Sequence, residues 1–485
     1  MSSVREETAR GIKWGLIQKC TMQPVQFLFG VILARLITPE EMGILGLTGI
    51  FFAFAGQLQE CGFGSALIRK QDRTDEDICT VFWFNVAMSF LLSLALFLAA
   101  PWFVWFFDQP ALLNLTRVSA LLMFLNSTGS VHWTLYQARR DFKTPAIISM
   151  CATLIAMPFT IWAAYVGWSY WAVMLQGIIS GLLSLSTVWI ISPWKPRVCF
   201  SRQSFHDFFK FGINLTLAGM IGQLYTQSRL FIIGKFYAPA QIALYTRGET
   251  LCSTPLNLFQ SVMTPVTYPI LSTLQNNPGK LSHVYRQYIR LSAIIVQWGM
   301  LTIAANSHAA VLFLYGKEWE PCVAYAQILC FGWMFNPLFY INLTLFAVLG
   351  RTDASLKFET ILRIFSISAM IICAFISVKA ICIAAVLSAL FAFFGSSTWI
   401  CRLSGLRITD LLQDFLFYLL FAAIANIPSL FISYMEWSPM TSLATGTISS
   451  LLIYLLILYI RMDQTALYIW DIIISKVSAK KTPLH

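Results

Sequence analysis

The chain has 485 residues, of which 58% are hydrophobic and 11% charged, with a mean hydropathy of +0.69. Soluble domains carry about 25% charged residues, so this composition excludes a soluble enzyme and places the chain in a membrane. The net charge of +11 does not point to nucleic acid, because the basic residues are scattered over many short loops, a pattern that a bilayer explains better.

Apolar runs of roughly 20 residues recur from end to end, too many for one buried core. Period-2 alternation is absent and the runs are too long for barrel strands, so an all-α integral membrane fold is expected. In chain order the predicted spans are 11–34, 43–67, 79–107, 111–136, 146–166, 169–192, 211–234, 243–270, 289–315, 322–349, 358–378, 380–401, 413–434 and 441–461. Every connection is short, which leaves no room for an extramembrane domain.

Apart from Arg35, Lys235, Lys317 and Lys379, the basic residues of the loops fall on one side of these spans. The positive-inside rule then puts both termini in the cytoplasm. Arg5, Arg10 and Lys13 precede the first run without a small-residue cleavage site, so that run is expected to be a retained helix. In the tail, Leu467, Trp470, Ile474 and Val477 stand at helical spacing beside Lys476, Lys480 and Lys481; it reads as a surface helix or a frayed end.

The second half opens with a hairpin whose break, "IIGKFYAPAQIALYTR", repeats the setting of "VILARLITPEEMGILG" some two hundred residues earlier. Arg35 and Pro39 stand where Lys235 and Pro239 stand, and the hydropathy on either side agrees. Two related halves follow.

Charges inside spans carry the functional reading, because each costs about 2.5–3.5 kcal/mol at mid-bilayer and so faces a cavity or a partner. They are Lys19, Arg117, Arg229, Arg247, Glu60 and Glu249. Lys19, Gln23 and Gln26 form one polar stripe on the first helix, which Pro24 can bend. Gln57 and Glu60 share a face of the second helix, with Glu60 as the counter-charge for Lys19. Tyr225 and Arg229 are four apart beside Gln223 and Gln227, and Tyr245, Arg247 and Glu249 open the eighth helix, which also holds Pro255, Pro265 and Pro269.

One reading is a cationic cleft for a phosphate or pyrophosphate headgroup at Lys19, Arg229 and Arg247, lined by Gln23, Gln26, Glu60, Gln227 and Glu249. The other is snorkelling of long side chains to the headgroup region, Arg117 above all. The two carboxylates read either as ion-coupling sites or as charge partners.

No nucleotide-binding loop, H-E-x-x-H run or nucleophile elbow is present, so neither catalysis nor a cofactor or metal is expected. The eleven cysteines show no CxxC and no clustering with histidine, and read as small core hydrophobes. His132 and His308 fall within spans and read as buried, satisfied histidines.

The segments "LARLITPEEMGILGL", "CGFGSALIRKQDRTDEDICTVFWFN", "YQARRDFKTPAI", "IIGKFYAPAQIALYTR" and "LGRTD", in this order, resemble the polysaccharide-transporter family of bacterial oligosaccharide-lipid flippases, within the multidrug/oligosaccharidyl-lipid/polysaccharide (MOP) exporter superfamily. The resemblance extends from about residue 10 to 400. It implies about 14 transmembrane helices as two pseudo-symmetric six-helix lobes, 1–210 and 211–402, with an extra helix pair and basic tail over 403–485. It also implies translocation of undecaprenyl-pyrophosphate-linked sugar repeat units across a bacterial inner membrane by alternating access, in surface polysaccharide biosynthesis. Membrane lipids, a polysaccharide polymerase and other assembly enzymes are the implied partners, and a proton or sodium gradient the expected drive.

Arg247 matches the family's "LY[ST]R" pattern, and Arg35 and Lys235 match its basic position in the hairpin turn. Arg229 and Glu249 depart from the pattern. The alternatives are a multidrug-type exporter of the same superfamily, or an integral-membrane polymerase or ligase.

Overall fold

The computed structural model describes residues 2–404, 407–433, 435 and 437–461, with the side chains of 2–13, 16, 17, 60, 403 and 404 excepted. The tail after Arg461, where a surface helix or a frayed end was expected, lies outside the described residues. Among them the chain is helical, with no strand.

The helices are α1 (Ser2–Leu36), α2 (Pro39–Glu60), α3 (Phe63–Arg69), α4 (Asp75–Phe107), α5 (Leu112–Ser127), α6 (Ser130–Ala138), α7 (Lys143–Tyr165), α8 (Tyr170–Ile191) and α9 (Arg202–Phe236). They continue with α10 (Pro239–Thr273), α11 (Pro278–Ala305), α12 (Ser307–Leu314), α13 (Cys322–Trp333), α14 (Asn336–Val348), α15 (Thr352–Ala374), α16 (Val378–Ser404), α17 (Ile408–Ser433) and α18 (Pro439–Ile460).

Each expected span corresponds to one helix or to one broken pair. The pairs are α2/α3, α5/α6, α11/α12 and α13/α14. Cys61 and Gly62 break the first pair, both in the left-handed region at φ 40° and 67°. Nine of these helices or pairs are, by length and hydropathy alone, sufficient to cross a membrane among the described residues. The chain is a multi-pass membrane protein. α1, α5/α6, α9, α10 and α15 are not among the nine; polar residues lower the hydropathy of α1, α9 and α10, which carry Lys19, Arg229 and Arg247.

Helix starts follow local chemistry. Thr38 and Thr74 cap α2 and α4 in reciprocal boxes: Glu41 N donates to Thr38 Oγ1, Thr38 N to Glu41 Oε2, and the same exchange joins Thr74 and Asp77. Pro39 and Pro239 occupy the first positions of α2 and α10, where the missing N–H costs nothing. α1, α9 and α10 each run 35 residues, about 52 Å at 1.5 Å per residue, so they outrun a hydrocarbon core of about 30 Å. Their turns beyond the core are polar, which is why hydropathy located only their apolar parts.

The chain divides into two compact units between Leu244 and Tyr245. In the first, α9 packs on α2, α3 and α4. Gly62 and Gly212 allow the closest approach: a methyl at Gly62 would stand 2.8 Å from the Gly212 Cα. The connection after α8 is pinned to α4, with Trp83 Nε1 donating to the Arg197 carbonyl and Ser201 N donating to Thr80 Oγ1, both at 2.9 Å. Phe63, Leu67, Val81 and Val131, all fully buried, form the core beneath it.

In the second unit α17 and α18 pack against α11 and α12. Ser450 Oγ donates to Asn426 Oδ1 at 2.9 Å and accepts from Trp298 Nε1 at 3.1 Å, so polar groups of three helices satisfy one another in an apolar setting. Asn342 joins α11, α14 and α16 in the same way: its Oδ1 accepts from Tyr285 at 2.6 Å, and its Nδ2 donates to Ser396 and Ser397 at 2.7 and 3.0 Å.

Candidate substrate-binding site

On α1 the expected polar stripe is continuous, since the helix runs unbroken through Pro24. Lys19 and Gln26 are exposed and Gln23 is half-buried, with its side-chain carbonyl oxygen buried and without a donor among the described residues. Gln18, next to Lys19, donates from Nε2 to Ser149 Oγ on α7 at 3.1 Å. The side chain of Glu60, the expected counter-charge, lies outside the described residues. Its neighbour Gln57 lies directly against Gly219 of α9, where no Cβ intervenes.

Further along α9, Gln223, Tyr225, Gln227 and Arg229 are half-buried together. Thr226 donates to the Gln223 carbonyl at 3.1 Å. Lys235, at the end of α9, has a structural use that its sequence position did not disclose. Its ammonium donates to the Phe106 carbonyl at 2.9 Å and stands 3.9 Å from the Phe106 ring centroid. A cation thus caps the C-terminus of α4, where the helix dipole is negative.

Arg247 belongs to the second unit. Its guanidinium lies 5.7 Å from the ring centroids of both Tyr315 and Trp319, which are 2% and 0% exposed. The seat is fixed by Gly248, which meets the backbone of α13 at Ala326 N. Glu249 is half-buried on the same helix. Lys19, Gln23, Gln26, Gln227 and Arg229 therefore fall in the first unit, and Arg247 and Glu249 in the second. Arg117 stacks on Phe97 at 4.9 Å, joining α5 to α4.

The histidines differ from one another. His132 is fully buried, with Nδ1 2.9 Å from Ser192 Oγ and the rings of Trp189 and Trp194 beside it. His308 corrects the expectation of burial: its side chain is 44% exposed and pairs with Glu320 at 3.3 Å. The break at Asn306 turns α12 so that this residue faces the 317–320 loop. Of the cysteines, Cys20 and Cys151 are exposed, so those two are not core hydrophobes. No group of metal-ligating side chains exists among the described residues.

Sequence reasoning missed an open cleft of about 410 Å³ on the first unit, lined by exposed Asn126 and by half-buried Trp133, Ser149, Thr153, Ser180 and Ser184 among others. These residues come from α5, α6, α7 and α8, so no single stretch announces them. The only linear signal is Ser180 and Ser184, one turn apart on α8.

Residues 32–324, more than half of the chain, match the family described as polysaccharide biosynthesis protein. The chain is a member of that family. The succinoglycan biosynthesis transport protein ExoT of Rhizobium meliloti is 24% identical over 310 residues, 64% of this chain and 63% of that one. The chain thus spans under two thirds of this relative's length. The lipopolysaccharide biosynthesis protein WzxC of Escherichia coli is 21% identical over 76% of each chain. Among solved structures, the lipid II flippase MurJ in an inward closed conformation superposes with a TM-score of 0.69 at 14% identity, over 98% of this chain and all of that one. The chain therefore shares the fold of that flippase.

Proposed function

We propose that this family member is a flippase that moves undecaprenyl-pyrophosphate-linked oligosaccharide units across a bacterial inner membrane by alternating access, without chemistry on its substrate. The observation that carries this reading is the placing of Lys19, Arg229 and Arg247 on α1, α9 and α10, three 35-residue helices that are not among the nine apolar enough to cross a membrane by hydropathy. A cation on a membrane-spanning helix is retained where it meets an anion, and arginine meets phosphate oxygens in a two-point fork. The printed roles of the relatives, succinoglycan transport and lipopolysaccharide biosynthesis, and the lipid II flippase with the same fold support the substrate class.

In this reading Lys19, Arg229 and Arg247 are the cations that take the pyrophosphate, Gln23, Gln26 and Gln227 line the passage, and the prenyl tail stays in lipid. Glu60 and Glu249 couple the cycle to a proton or sodium gradient. Both termini are cytoplasmic, and the polymerase and other assembly enzymes act on the product outside. The halves related in sequence are 1–210 and 211–402, with 403–485 as an added pair. α9 is then the opening helix of the second repeat packed into the first compact unit.

The test replaces Arg229 and Arg247 by Ala in cells lacking the native gene. Loss of surface polysaccharide with single lipid-linked units retained on the cytoplasmic face is expected. Normal polysaccharide from a well-expressed double variant removes these residues from the mechanism. Accumulation on the outer face instead favours a polymerase or ligase.

A further inference from the structure

The first unit holds a cavity whose lining differs from everything around it. Helices α5 to α8 are otherwise clad in leucine, isoleucine and aromatic side chains, yet the cavity presents one amide, four hydroxyls and an indole. Ser180 Oγ donates to the Gln176 carbonyl at 2.7 Å, Thr153 Oγ1 to the Ser149 carbonyl at 2.8 Å, and Ser149 Oγ to the Ala146 carbonyl at 3.1 Å. Each of these hydroxyls spends its proton on its own helix and keeps lone pairs for an incoming donor. The side chains of Asn126, Trp133 and Ser184 make no hydrogen bond among the described residues, so they hold donors and acceptors in reserve. Nothing in the cavity is charged.

A neutral set of donors and acceptors that includes an indole suits a sugar ring, which carries hydroxyls on its edge and C–H bonds on its faces. An acyl or prenyl chain would leave every one of these polar groups unpaired, at a cost for each. The volume of about 410 Å³ lies within the range of small-ligand sites. Position adds to chemistry: Gln18 bonds Ser149 on the cavity wall, and Lys19 is the next residue on α1.

We infer that this cavity is a saccharide subsite, in which Asn126, Ser184 and the Trp133 indole take a neutral sugar ring of the lipid-linked substrate while Lys19 stands near its phosphate. The inference rests on the proposed function and names where the sugar is read.

The test compares binding of two probes by the full-length protein in vesicles: undecaprenyl pyrophosphate, and the same lipid bearing one glucose. The wild type is expected to prefer the glucosylated lipid. The Asn126→Ala/Ser184→Ala double variant is expected to reduce that preference roughly tenfold, by loss of two hydrogen bonds. Trp133→Phe, which keeps a ring face, is expected to retain more of the preference than Trp133→Leu. A wild-type protein that binds both lipids equally, or a preference unchanged in the double variant and in Trp133→Leu, overturns the subsite and leaves the proposed function standing. A wild-type protein that binds neither lipid overturns both.

Discussion

Arg286 grips Asp414 at two points, Nε to Oδ2 at 2.6 Å and Nη2 to Oδ1 at 3.2 Å, and Arg290 reaches the same carboxylate at 2.8 Å. One acid thereby ties α17 to two turns of α11, and the helix pair over 403–461 is fastened to the second unit instead of trailing from it. The Asp414 side chain is 11% exposed and that of Arg286 30%, so the cluster is neither fully screened nor fully buried. Asp414→Asn leaves two guanidinium groups facing each other without their shared anion. It is expected to destabilise the protein by about 2 kcal/mol, read as a lower Tm in detergent. An unchanged Tm would mean that the apolar packing of α17 and α18 suffices.

Gly212 tests the packing of α9 on the α2/α3 break. A methyl there meets the Cys61 carbonyl oxygen, which belongs to backbone and cannot swing away. Gly212→Ala is expected to cost about 1–3 kcal/mol as an overpacked contact, in spite of the higher helix propensity of alanine. Thermal unfolding measures it, and a stabilised variant would show that α9 does not lie where the structure has it.

Arg247 is held by the faces of Tyr315 and Trp319, a setting that suits a planar guanidinium more than a compact ammonium. Arg247→Lys keeps the charge and loses the planar stack. Transport is expected to fall about tenfold, equivalent to about 1.4 kcal/mol in the rate-limiting barrier. Trp319→Leu is expected to act in the same direction. Full activity of the lysine variant would show that a point charge is enough.

Coupling gives a fourth expectation. Collapsing the proton and sodium gradients together is expected to slow glycolipid translocation in energised vesicles. A rate indifferent to both ions would remove Glu60 and Glu249 from the drive.

Much of the fold was legible in the sequence because the bilayer enforces one rule everywhere: long apolar helices with basic loops on one side. Each expected span matches one helix or one broken pair for that reason. The breaks at Cys61–Gly62, Thr128–Gly129, Asn306 and Met334–Phe335 were not legible, since hydropathy continues across a kink and only backbone geometry records it. The candidate cations were found because an arginine in an apolar run is conspicuous. Their surroundings were not: Lys235 caps a helix more than a hundred positions away in sequence, and the hydroxyl-lined cavity collects residues from Asn126 to Ser184 that look unremarked one by one. His308 was misread because the helix break that turns it outward is a local event with no signal in composition.

The most direct measurement is leaflet exchange in vesicles reconstituted with the purified chain and an undecaprenyl-pyrophosphate-linked sugar, scored by the fraction of glycolipid accessible from outside over time. The account expects exchange well above that of protein-free vesicles, and slower exchange in the Arg229→Ala/Arg247→Ala variant. Wild-type vesicles that exchange the glycolipid no faster than protein-free ones would contradict it.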